Sequence, residues 1–318
     1  VSHPFDAVLV VAFGGPNGPA DVRPFLANVL RGRRVSPERV EEVVHHYELF
    51  GGVSPLTDLT IRQARGLEQR LASQGLELPV YIGMRNWHPL LADTLREMET
   101  AGVRRAVGLI LAPHRSYSSC TQYRQNVVDA RVKSAAAVDV TYVGDWHTHP
   151  KFIDANQRHV RAALDRLSAD VRSLARLVFT AHSIPVSMPA ADRYKQQVTE
   201  TAELVASAVG VTDWIVGFQS RSGRPEDPWL GPDVCEYLRG AAASVPAVVI
   251  VPIGFVCDHI EVLYDLDHEA AELCRALRLP MARAETVNDD PVFIDMTADV
   301  VVDVVERYQS GRPLPIVP

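Results

Sequence analysis

Lysine is nearly missing from this chain. Of 32 basic residues in 318, only three are lysines: Lys133, Lys151 and Lys195. A polybasic membrane patch built on lysine is therefore excluded. Basic excess is missing as well: 39 Asp and Glu against 32 Lys and Arg leave a net charge of −7. That balance argues against a general nucleic-acid binder. Cysteine is scarce. Cys120, Cys235, Cys257 and Cys274 lie far apart and form no CxxC pair. They are too few to staple a chain of this length, so a reducing, cytoplasmic compartment is expected. Long apolar runs are also absent: nothing approaches the roughly 20 residues that cross a bilayer. The start, VSHPFD, lacks the basic n-region of a secretory signal. A soluble protein with no transmembrane segment is expected.

What is present points to a folded α/β protein. Hydrophobic residues make up 47% and charged residues 22%, which excludes wholesale disorder. Short apolar runs recur at Ala7–Phe13, Val80–Met84, Ala106–Ala112, Val138–Val143, Leu177–Ala181, Trp214–Phe218 and Ala247–Ile253. Most are rich in Val and Ile and are continuous rather than alternating, as in parallel strands covered on both faces. Helical patterns lie between them, at Ile61–Gln74, Pro89–Ala101, Lys151–Ser168 and Thr199–Val209. A weak repeat pairs LVVAFGGP, VYIGMRNW and GLILAP with LVFTAHSIP, WIVGFQSR and VVIVPIGF. The expectation is two similar doubly wound, Rossmann-like α/β domains, 1–150 and 151–318, each with a mainly parallel sheet. The tail Gly311–Pro318 reads as extended or disordered.

In open α/β sheets, ligands bind beyond the carboxyl ends of strands. His182 follows one such run in the segment AHSIP and is placed for acid–base work or metal ligation. Ser183 beside it does not make a serine hydrolase, because the G-x-S-x-G elbow is missing. After Ile253, Glu261, Asp265 and Glu269 recur every fourth residue. On a helix they share one face, where three carboxylates repel unless cations or protons intervene. Oxygen-rich rows suit hard or borderline divalent cations, although a solvated acidic face has the same pattern. In the first half, Arg31, Tyr47, Ser54 and Tyr123 supply guanidinium and hydroxyl groups suited to carboxylates or phosphates. Gly14-Gly15 does not complete a G-x-G-x-x-G fingerprint.

Taken together, the motifs resemble one family, the ferrochelatases, which insert ferrous iron into a porphyrin. The resemblance is carried by AFGGP at 12–16, RGR at 31–33, GGVSPL at 51–56, YIGMRNWHP at 81–89, YSSCTQY at 117–123, TAHSIP at 180–185, FQSRSGRPEDPWLGP at 218–232 and PIGFVCDHIEVLYDLD at 252–267. It implies two chelatase-like domains, the first on the propionate side of the porphyrin and the second carrying His182 and the acidic row. His182 and Glu261 are implied as the catalytic pair. Metal contacts would come from His182, Glu261, Asp265 and Glu269. The porphyrin would be bound by Arg31, Tyr47, Ser54 and Tyr123, with Trp229 as an aromatic wall. Iron is then a substrate, and no resident cofactor is expected.

Some relatives hold a [2Fe–2S] cluster using an internal cysteine and cysteines in a C-terminal tail. Cys120 is the internal candidate, but the chain ends at IVP with no tail cysteine, so a cluster is not expected. Asn17 stands where some bacterial relatives have Tyr. The segments SSCTQY and MRNW look similar to the coproporphyrin-using branch. That resemblance implies coproporphyrin III and Fe²⁺ as substrates, coproheme as product, a monomer, and a coproheme decarboxylase as partner. The alternatives are protoporphyrin IX as substrate, cobalt or nickel insertion into another tetrapyrrole, and a non-catalytic porphyrin-binding protein.

Overall fold

Each apolar run of the sequence becomes a strand. The computed structural model describes residues 3–32, 35–222 and 226–314. Strands β1 (Ala7–Ala12), β2 (Val80–Met84), β3 (Arg105–Ile110) and β4 (Asp139–Tyr142) form one parallel sheet in the order β2-β1-β3-β4. Strands β5 (Arg176–His182), β6 (Trp214–Gln219), β7 (Val248–Val251) and β8 (Met281–Arg283) form a second, in the order β6-β5-β7-β8. The two sheets thus repeat one topology. In each, the chain steps to one side of the opening strand and then crosses to the other. That reversal is where open α/β sheets place ligands.

Two compact units carry these sheets. The first holds the described residues of Val1–Leu111, Cys120–Asp145 and Phe293–Pro318, and the second holds Ala112–Ser119 and Trp146–Val292. The last helix, Pro291–Gln309, is therefore counted almost wholly with the first unit, whereas a division at residue 150 gives it to the second half. Four residues of the expected tail, 315–318, lie outside the described residues, as do Arg33 and residues 223–225 of two quoted motifs.

The second sheet shows why its strands are continuously apolar. Leu177, Phe179 and Ala181 pack with Val249 and Val251 against Val160, Val198 and Val205 on one face. Val178, Val248 and Ile250 pack against Leu238, Val262, Leu266 and Cys274 on the other. Side chains alternate across a strand, so a strand covered twice has no polar face. Burying each Val or Leu contributes roughly 1.5–3 kcal/mol.

Three elements differ from the sequence reading. Strand β8 is only Met-Ala-Arg, too short for an apolar run. The helix expected from Thr199 begins at Ala191 and runs to Val209. Its first turns, ADRYKQQV, are polar enough to hide the apolar stripe. The third difference is a wide π-helix at Leu263–Ala270, between short α-helical pieces Ile260–Val262 and Ala271–Ala276. Asp265 and Glu269 of the acidic row thus ride on a helix with i→i+5 bonds, while Glu261 sits on the α-helical piece before it. Such bulges are frequent at functional sites.

Candidate active site

His182 is the last residue of β5 and pairs in register with Gln219. The chain beyond it is fixed by Ser183, whose N–H donates to Gln219 O (2.8 Å) and whose hydroxyl donates to Leu230 O (2.8 Å). Leu230 N–H donates to Ile184 O at 2.9 Å, and Pro185 bridges Trp229 in antiparallel fashion. This short pairing sets Trp229 next to the AHSIP turn. The Trp229 indole N–H is buried and has no partner among the described residues.

The second half of the site follows β7. Gly254 makes it possible. A Cβ there would stand 2.5 Å from Ala181 Cα, and Gly254 N–H donates to Thr180 O at 3.0 Å. Only glycine lets this loop lie on the end of β5. The chain then reaches His259 and Glu261. Glu261 Oε2 is 3.8 Å from His182 Nε2 and 3.5 Å from His259 Nε2.

Both imidazoles are oriented from behind. His182 Nδ1 bonds Ser183 O at 2.5 Å, and His259 Nδ1 bonds Cys257 O at 3.2 Å. A carbonyl only accepts, so each Nδ1 carries the proton. In the neutral ring this leaves Nε2 with a bare lone pair turned to the carboxylate. His182 keeps 34% of its side chain accessible and Glu261 49%. Crowding by protein atoms raises the Glu261 pKa. When the two rings carry a second proton, the positive charge of His182, with the hydrogen bond and charge of His259, outweighs it and holds the carboxyl at about 2.

Asp265 behaves in the opposite way. Burial is the main cause, and the negative charges of Glu261 and Glu269 add to it, pushing its carboxyl up to about 7. Hydrogen bonds from Ser220 Oγ and from Gln219 Nε2 (3.2 Å) pull it back only in part. Gln219 Nε2 also donates to Glu261 O at 3.2 Å, so one amide ties the first two members of the row. The loop carrying them is clasped by Arg283 at the end of β8. Its guanidinium bonds Asp267 through Nε (2.6 Å) and Asp258 (2.9 Å), and Asn288 donates to Asp258 at 3.1 Å.

The structure therefore gathers His182 and Glu261, with Asp265 one step along the row and Glu269 close enough to act on Asp265. Among the described residues no three His, Cys, Asp or Glu side chains form a ready metal-binding group. Sequence reading did not single out His259. The signal was there, two residues before Glu261 on the short segment that leads from β7. The four cysteines lie on separate segments and none forms a disulfide.

The candidates of the first unit divide into two kinds. Arg31 is exposed, and its guanidinium donates to Asn28 Oδ1 at 2.7 Å. It lines a cavity of about 200 Å³ with Asn28, Arg85, Asn126 and Lys133. Arg85 follows β2 directly, donates to Asn126 Oδ1 at 2.6 Å, and stacks 4.4 Å over the Tyr123 ring. Tyr123 is buried, so its ring is the floor beneath Arg85. Tyr47 is half-buried and meets Phe25 edge-on at 5.9 Å. Ser54 is buried behind the Gly14-Gly15 turn, where a Cβ on Gly15 would stand 2.8 Å from Ser54 Cβ. Its N–H donates to Pro16 O at 2.9 Å.

Parallel strands in this repeated order, with a histidine and a carboxylate at the carboxyl ends of β5 and β7, are the build of a chelatase-like α/β protein. The structure is similar to SirB from Bacillus subtilis, solved with Fe³⁺, at TM-score 0.60 and 13% identity, covering 96% of this chain and 97% of that one. That likeness concerns the fold. The sequence model of the family described as Ferrochelatase matches residues 5–304. The chain is 43% identical to a ferrochelatase of Rhodopirellula baltica, over 98% of this chain and 89% of that protein. It is 44% identical to a coproporphyrin III ferrochelatase of Nocardia farcinica, over 96% and 89%. The chain belongs to the ferrochelatase family and is an enzyme, a metal chelatase.

Proposed function

We propose that this enzyme inserts Fe²⁺ into coproporphyrin III and releases coproheme and two protons. The observation that carries the reading is the His182–Glu261 pair, with Nε2 of an Nδ1-anchored imidazole 3.8 Å from the carboxylate. A porphyrin holds two N–H protons in its plane, and both leave as iron enters. His182 Nε2 accepts a pyrrole proton, and Glu261 stabilises the resulting imidazolium. Glu261, Asp265 and Glu269 offer oxygen ligands that hold ferrous iron weakly enough to pass it on. Trp229 covers part of the ring face.

Coproporphyrin carries four propionates. Arg31 and Arg85 suit them because a guanidinium fork matches a carboxylate, and Tyr47 adds a phenolic hydroxyl. Tyr123 and Ser54 act from beneath, under Arg85 and under the glycine turn. The preference for coproporphyrin draws on the Nocardia farcinica relative, whose name states that substrate.

A cytoplasmic setting is supported by four cysteines outside any disulfide. Among the described residues no helix is long and apolar enough to cross a membrane. We read the enzyme as a monomer that passes coproheme to a decarboxylase. Anaerobic iron insertion into each porphyrin tests the substrate. Coproporphyrin III is expected to give the higher kcat/KM, and a higher value with protoporphyrin IX overturns the choice.

A further inference from the structure

Behind His182 lies a buried polar stripe that iron insertion as described above does not use. It runs along one face of the helix Ala191–Val209 as Tyr194, Gln197 and Thr201. The rest of that face is Val198, Ala202 and Val205, packed on the sheet. Tyr194 is 6% exposed, and its hydroxyl donates to the carbonyl oxygen of His182 at 3.0 Å. That is the one bond found for the hydroxyl among the described residues. A phenylalanine would fill the same space, so the hydroxyl answers to the carbonyl.

The ring of Tyr194 is held in turn. It meets His114 nearly at right angles, with centroids 6.3 Å apart. His114 is 2% exposed, and its Nε2 lies 2.9 Å from Thr201 Oγ1. The single proton of Thr201 goes to a carbonyl, that of His147 (3.0 Å) or Gln197 (3.1 Å). His114 Nε2 is therefore the donor to Thr201, and its tautomer is set. Gln197 Oε1 accepts from Arg115 N–H at 2.7 Å, which pins the same segment to the helix. Burial, with the charge of His147, lowers the His114 pKa to about 3, so the ring stays neutral through the working range. The assembly is a fixed support, not a proton store.

We infer that Tyr194 is a positioning residue for His182. The inference rests on the proposed role of His182 as proton acceptor. The His182 imidazole is tied through Nδ1 to the next carbonyl, Ser183 O, so its direction follows the peptides at the end of β5. Strand β5 ends at His182, and the Tyr194 hydroxyl bonds the carbonyl of that last residue. With Tyr194 holding it, the peptide cannot turn, and Nε2 stays on Glu261. Without that hydroxyl, the carbonyl is left to find another donor and the imidazole gains a second orientation.

The test is Tyr194→Phe, with Thr201→Val as a second variant that loosens His114 and leaves the phenol in place. For Tyr194→Phe, kcat for iron insertion is expected to fall about five- to tenfold, with KM for porphyrin and iron unchanged within about twofold. In Thr201→Val the same split is expected, at smaller size. Nitrogen-15 NMR of labelled histidine, with the His182 signal assigned through His182→Ala, gives the second readout. The wild type is expected to show the Nδ1–H tautomer, and Tyr194→Phe a mixture. Unchanged kcat and an unchanged His182 tautomer in both variants overturn the inference. Equal losses in kcat and stability with an unchanged tautomer also overturn it, because they describe a packing role. The wild type's own porphyrin preference is read in the same assay. A failure of the coproporphyrin assignment therefore appears as a different preferred substrate, not as a change in the variant-to-wild-type ratio.

Discussion

A histidine becomes a directional base when its other nitrogen is already engaged. His182 and His259 both spend Nδ1 on a backbone carbonyl and aim Nε2 at one carboxylate. The opposed behaviour of Glu261 and Asp265, four residues apart, follows from their neighbours. Glu261 is flanked by imidazoles, and Asp265 by carboxylates. Replacing His259 by Ala removes one of those imidazoles, so the Glu261 pKa should rise from about 2 toward 4.5. A carboxyl carbon-13 titration reads this, and an unmoved titration would remove His259 from the site. For Asp265 the sign runs the other way. Its folded pKa is raised from 3.8 to about 7, so its ionisation costs stability as pH climbs through that window. Asp265→Asn should gain in urea midpoint relative to the wild type at pH 8 and lose that gain near pH 4. An equal difference at both pH values would contradict the raised pKa.

At the scale of elements, the site depends on how closely two loops approach. Gly254 lets the chain after β7 lie on the end of β5. Gly254→Ala is expected to destabilise by about 1–3 kcal/mol through overpacking and to displace Glu261 from His182, lowering kcat with it. Urea unfolding and turnover together check both effects, and normal values of each would show the contact to be slack. The strands that frame these loops were legible because covering both faces leaves only Val, Ile, Leu and Phe at their centres. Strand β8 was not, because Met-Ala-Arg carries no periodicity and its Arg283 is chosen for Asp258 and Asp267. The acidic row was legible as spacing. The π-helix was not, since i→i+5 bonding leaves no separate mark on residue types. The first turns of the helix Ala191–Val209 were hidden for a related reason. Tyr194 and Gln197 are buried by packing and hydrogen bonds, not by apolar character. Ser54, expected as a porphyrin-binding hydroxyl, lies buried against Gly15, a placement that residue type alone does not show.

The whole molecule uses one topology twice and puts different chemistry on each copy. After β1 and β2 the first unit presents a glycine turn and arginines. After β5 and β7 the second presents His182 and the carboxylate row. Scarce lysine has a consequence at this scale: most of the positive charge is arginine, whose fork suits the carboxylates of the proposed substrate. The net charge of −7 is partly the row itself. The central claim is that His182 takes the pyrrole proton, and anaerobic turnover of His182→Ala with Fe²⁺ and coproporphyrin III tests it most directly. The account predicts that the variant still binds coproporphyrin, seen as a normal absorption titration, while iron insertion falls by about 10²-fold or more. Wild-type turnover by the variant would contradict it.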